Sequence, residues 1–122
     1  MSTKQAHIKK ALHNEEFAKS LNPETTPFRD WIAVGAFYSA VHFLEAFFAT
    51  QNRHSDGHHI RDAMLLEFAV TQEIAPQFNE LKQLGFKARY LSDPFTPGEI
   101  KNQVLPALAE IKERIMGFLA TR

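Results

Sequence analysis

The chain contains no cysteine, so disulfides, zinc–thiolate sites and cysteine nucleophiles are excluded. It also lacks net charge, because 14 Lys and Arg balance 14 Asp and Glu. Overall charge therefore gives no ground for nucleic-acid or membrane binding, although a local basic surface is compatible with it. No phosphate-binding glycine loop, nucleophile elbow or HExxH pattern occurs, so the enzyme classes built on them have no support. Sustained period-two alternation and internal repeats are both missing. Residues 1–22 are charged throughout and show no secretory pattern. The longest mainly apolar run, residues 31–49, is interrupted by Tyr38, His42 and Glu45. Ionisable groups are costly in lipid, so the run is expected inside a protein rather than in a membrane, and the expected location is the cytoplasm.

What is present is an ordinary globular composition, 44% hydrophobic and 23% charged over 122 residues, which suits one domain spanning 1–122. Residues 3–21 predict a helix with a weak apolar face, stopped by Asn22-Pro23. Thr26 as N-cap and Pro27 at the first position then predict a central helix to about residue 51, apolar around most of its circumference. After the polar turn 51–57, Ser55 or Asp56 caps a third predicted helix with Ile60, Met64 and Phe68 on one face, ending near 70–75. Pro76 opens a fourth, with Phe78, Leu81, Leu84 and Ala88 in line and Gly85 inside it. Thr96-Pro97-Gly98-Glu99 is a capping box that starts the last helix. That helix runs to about Ala120 with a kink expected at Pro106. The predicted fold is an all-α, up-and-down antiparallel bundle of about five helices.

Three features carry candidate chemistry. Tyr38, His42 and Glu45 form a polar seam within about 60° of arc on the central helix, either a buried network or the floor of a site. Buried polar groups need partners, so the plainer expectation pairs His42 with Glu45 or with a group on another helix. The second feature is Arg53, His54, Ser55, Asp56, His58, His59, Arg61 and Asp62, collected at a loop and a helix start, where free N–H groups suit a phosphate. His54 and His58 are separated by Gly57 and need not share a face, so no metal site is assigned. Third, Lys87-Ala88-Arg89-Tyr90 sets cations beside an aromatic ring. Such a group could stack on a base or grip a phosphate, although helix C-terminal compensation is the commoner role.

Taken in order, Asp30-Trp31, Phe37-Tyr38, His42, Glu45-Ala46, His58-x-x-Arg61 and Ala88-Arg89-Tyr90 resemble the HEPN superfamily, in its small stand-alone members. The resemblance covers about half the chain, residues 30–90. It implies a helical bundle that forms a homodimer and engages a nucleotide or RNA, with a nucleotidyltransferase as one type of partner protein and no cofactor. Many members are metal-independent ribonucleases whose signature is an arginine followed, after four to six residues, by a histidine. Others lack the signature and act as binding domains. Downstream of Arg61-Asp62 the relevant places hold Leu66, Glu67 and Phe68, whereas Arg53 and His58 do fit the spacing, across a glycine-containing loop.

Three expectations follow. The first is a binding module for a nucleotide, RNA or partner protein, with Tyr38, His42, Glu45, His59, Arg61, Arg89 and Tyr90 as ligand-binding residues. The alternative is an endoribonuclease in which Arg53 holds the phosphate and His58 (or His59) is the general acid/base. A purely structural subunit of a complex is the third.

Overall fold

The computed structural model describes residues 3–121 and is all-helical over that range. Helix α1 is Lys4–Ser20, α2 is Arg29–Thr50, α3 is His58–Leu65 and α4 is Ala69–Tyr90. Helix α5 covers residues 97–120 and is continuous through Pro97–Glu99, a π segment at Ile100–Val104, and Leu105–Ala120.

The side-chain contacts give the topology. His7, Ala11 and Phe17 of α1 meet His42, Ser39 and Gly35 of α2, so the two run antiparallel. Phe68 packs on Phe47 and Phe48 while Gly85 meets Phe37, which makes α4 antiparallel to α2. Lys87 with Glu99, Gln77 with Glu110 and Glu73 with Arg114 set α5 antiparallel to α4. The bundle is therefore up-down-up-down in α1, α2, α4 and α5, with α3 a short helix inside the α2–α4 connection.

Helix α2 packs against α1, α4 and α5, which explains its near-uniform hydrophobicity. Phe37, Phe43, Phe47, Phe48 and Phe78 are fully buried around it. Each such ring contributes about 1.5–3 kcal/mol by leaving water. Helix α2 is long and apolar enough to cross a membrane, yet 83% of that apolar window is buried inside the bundle. Its hydrophobicity thus serves packing. Gly85 permits the closest approach of α4: a Cβ there would lie 3.2 Å from the Cβ and Cγ of Phe37.

Several expected boundaries move, each for a local reason. Thr26 is not the N-cap of α2. Its hydroxyl accepts from the Phe28 N–H to close a turn, and the helix begins at Arg29, whose guanidinium donates back to the carbonyls of Pro23 and Glu24. Neither Ser55 nor Asp56 caps α3; Gly57, at φ 122°, holds that position. Helix α3 stops at Leu65, well short of 70–75, and Pro76 lies inside α4 rather than opening it. The break is made by two side chains downstream of it. Thr71 donates to the carbonyls of Leu65 and Phe68, and Gln72 donates to that of Leu66. The bonds to Leu65 and Leu66 satisfy carbonyls that a helix C-terminus leaves free, while Phe68, as the residue before α4, already accepts from the Gln72 N–H. Phe68 consequently leaves the face of Met64 and precedes α4, while Ile60 is exposed.

The capping box at Thr96 and Glu99 forms in full. Pro106 acts through a π-turn. It has no N–H to return, and the N–H of Leu105 reaches back five residues to the carbonyl of Ile100.

Candidate functional site

The polar seam of α2 gives one partner to each of three other elements. Glu45, the innermost, is buried and receives Nε of Arg61 from α3 at 3.2 Å and the hydroxyl of Ser55 from the preceding loop. Both members of this ion pair are about nine-tenths buried. Arg61 continues the chain by bonding through Nη1 to Nδ1 of His58 at 3.0 Å. His42 takes its partner from α1: its Nδ1 lies 3.0 Å from Nδ1 of His7, with the rings 5.3 Å apart and 29° from parallel. One Nδ1 carries the proton and the other accepts it. Burial, reinforced by the charges of His7, Lys10 and Arg61 and opposed by Glu45, pushes the His42 pKa down to about 4. His7 is lowered too, chiefly by burial.

Tyr38, the outermost member, is exposed and accepts a hydrogen bond at 3.0 Å from Nη1 of Arg89 on α4. Nε of Arg89 donates to the carbonyl of Gly85, and the guanidinium lies 5.3–5.8 Å from the ring centroids of Phe37, Tyr38 and Tyr90. All these partners are neutral. Among the described residues no carboxylate pairs with Arg89, so its charge is held in position without being cancelled.

Beside Arg89 lies an open cleft of about 210 Å³ lined by His58, Lys82, Phe86, Arg89 and Tyr90. Phe86 and Tyr90 are 52% and 68% exposed, with ring centroids 5.0 Å apart. Lys82 pairs with Asp62 across the α3–α4 gap. The ring of His58 stacks on Phe37 at 5.8 Å. Burial, followed by the nearby positive charges of Arg61, Arg89 and Lys82, lowers its pKa. The shift favours the neutral ring, in which Nδ1 accepts from Arg61. Chemically, the cleft offers one uncancelled cation, one partly cancelled cation, a neutral imidazole and two exposed aromatic faces.

The sequence-based candidates divide accordingly. His58, Arg89 and Tyr90 line the cleft, and Tyr38 stands behind Arg89 as its hydrogen-bond partner. Glu45 and Arg61 lie beneath the cleft as the support of α3, and His42 fastens α1. Arg53 is drawn elsewhere, its two terminal nitrogens directed to the carboxylate of Glu67. His59 is exposed on α3. Lys87 parts company with Arg89: it pairs with Glu99 of α5 and sits 4.3 Å above the ring of Phe95. Sequence reasoning missed His7, Lys82 and Phe86. The last two were discoverable, since positions 82, 86 and 90 repeat every four residues and share a helix face. His7 carried no comparable signal.

Among the described residues no group of three or more His, Asp or Glu side chains is arranged to hold a metal ion. Comparison of the chain with family models, with curated proteins and with solved structures gives no match.

Proposed function

We propose that this chain is a HEPN-like helical module of the cytoplasm that works as a homodimer and binds a nucleotide or RNA at the α3–α4 cleft. The observation that carries this is Arg89, a guanidinium oriented by Tyr38, Gly85 and three aromatic rings and, among the described residues, left without a carboxylate partner. An arginine so placed is suited to a phosphate. The exposed rings of Phe86 and Tyr90 next to it suit a base, because stacking on aromatic side chains is the common mode for unpaired bases. Phosphate and base would thus be met within one cleft.

The test is fluorescence anisotropy with labelled single-stranded RNA, alongside thermal melting with nucleoside mono- and triphosphates. Arg89→Ala is expected to weaken binding about 10- to 100-fold, the equivalent of one charge-assisted hydrogen bond of about 1.5–3 kcal/mol. If the wild-type protein responds to no nucleotide or RNA at millimolar concentration, the proposal fails.

One observation favours the second reading, a metal-independent endoribonuclease. His58 lines the cleft with its pKa lowered, chiefly by burial; with Arg61 donating to Nδ1, the proton is on Nε2, where the ring can act first as an acid toward a leaving oxygen. The binding role is preferred because the other residue of the pair, Arg53, is engaged by Glu67. Cleavage of single-stranded RNA in EDTA, lost on His58→Ala, would reverse that preference.

A further inference from the structure

The cleft at Arg89 does not end at Phe86. A second open cleft, of about 350 Å³, adjoins it and is lined by Asn79, Lys82, Gln83 and Phe86, so that Lys82 and Phe86 belong to both. Positions 79, 82, 83, 86 and 90 recur at three- and four-residue intervals and form one stripe along α4. From Asn79 to Tyr90 the stripe is roughly 16 Å long at 1.5 Å per residue. A single nucleotide placed with its phosphate at Arg89 would occupy one end only. At about 3.4 Å per stacked step along one strand, the stripe holds three to five nucleotides.

The side chains along it suit that use. Asn79 and Gln83 are exposed amides, each with a donor and an acceptor able to meet a base edge or a sugar hydroxyl. The stripe itself bears no carboxylate; Asp62, which pairs with Lys82, comes from α3. Phe86 and Tyr90 stand four residues apart and tilted at 51°, offering two platforms in sequence rather than one slot.

We infer that the ligand is a single-stranded oligonucleotide of at least three nucleotides, laid along α4 from Tyr90 toward Asn79. This rests on the nucleotide-or-RNA function proposed for the Arg89 cleft and extends it. A duplex is excluded as the preferred ligand because its bases are already stacked and paired, and Phe86 and Tyr90 can receive only free base faces.

The experiment titrates the full-length protein with a labelled mononucleotide, with RNA and DNA single strands of two, four and six nucleotides, and with a blunt duplex. Affinity is expected to rise at least tenfold from one to four nucleotides and then to level off, with the duplex bound at least tenfold more weakly than the tetramer. Comparing RNA and DNA tetramers identifies which source of the shared chemistry is preferred. The double variant Asn79→Ala/Gln83→Ala should lower tetramer affinity and leave that of the mononucleotide unchanged; both positions are exposed, and circular dichroism checks the fold. Equal affinity for mononucleotide and tetramer, lost on Arg89→Ala, overturns the extended tract while leaving the Arg89 cleft as a nucleotide site. Duplex bound as tightly as single strand also overturns it. Binding of none of these probes overturns both, and the aromatic stripe then belongs to a protein interface.

Discussion

The Glu45–Arg61 pair is the most exposed to refutation by experiment, because burial makes its energy large. The two side chains are only 8% and 10% exposed, and Glu45 holds both Arg61 and Ser55. Arg61→Met leaves a carboxylate in the bundle with the Ser55 hydroxyl as its remaining partner. Removing one member of a buried pair costs about 3–5 kcal/mol, and the retained serine bond places the expected loss near the lower end, about 3 kcal/mol. For a domain of this size that corresponds to a fall in Tm of roughly 10–12 °C. Glu45→Leu should destabilise similarly by stranding the guanidinium. The double variant Glu45→Leu/Arg61→Met is expected within about 1 kcal/mol of the wild type, since apolar replacement of both charges is commonly neutral. Urea unfolding followed by circular dichroism gives all four corners of the cycle. An Arg61→Met loss below about 1 kcal/mol would refute the account, as would a double variant that costs the sum of the two singles. Either would mean that α3 is held by something other than this pair.

Two further expectations concern stability. The His42 pKa, about 4 against an ordinary 6.5, means that the unfolded chain binds a proton more readily, so stability is intact above pH 6.5 and is lost as pH falls toward 4. The ceiling is about 3.4 kcal/mol from the shift itself, and solvent screening of a half-buried ring reduces it to about 1–2 kcal/mol; the gap between urea midpoints at pH 7 and pH 4.5 should narrow by that amount in His42→Asn, with the remainder due to other groups such as His7 and His58. Two of the helical glycines, Gly85 and Gly117, should respond oppositely to alanine. Gly85→Ala meets Phe37 and should cost about 1–2 kcal/mol, whereas Gly117→Ala has open space and should gain about 0.5–1 kcal/mol, measured by the same denaturation.

The fold was legible wherever sequence signals were strong and local. The capping box at Thr96, the apolar repeat from Ile100 to Leu119 and the hydrophobic circumference of α2 translate directly into α5 and the core. The α3–α4 boundary was not legible, because Thr71 and Gln72 look like helix interior and end α3 only by reaching back to the carbonyls of Leu65 and Leu66. Pro76 misled for a related reason: a proline is more often a start than an interior residue, and here it lies on the exposed side of α4. Within the site, the seam on α2 was visible from its spacing, but its partners were not. Periodicity speaks of faces on one helix and says nothing of which residue on another helix arrives there. His7 is the plainest instance, lying 35 positions from the imidazole it pairs with.

The three seam residues differ in depth, and depth decides what each can do. Glu45 is buried, and both Arg61 and Ser55 bond its Oε1, so it serves to hold α3 rather than to face the cleft. His42 faces a second imidazole and is strongly disfavoured from charging, which suits a neutral hydrogen bond across α1 and α2 better than proton transfer to a ligand. Only Tyr38 reaches the surface, and there it spends its hydroxyl on orienting Arg89. The seam thus supports the cleft without entering it. The same logic connects α3 to the cleft: Arg61 bonds both Glu45 below and His58 above, so the ion pair that anchors the helix also sets the imidazole at the cleft. A protein organised in this way fixes the walls of its cleft through buried polar contacts and leaves Arg89, Phe86 and Tyr90 facing the opening.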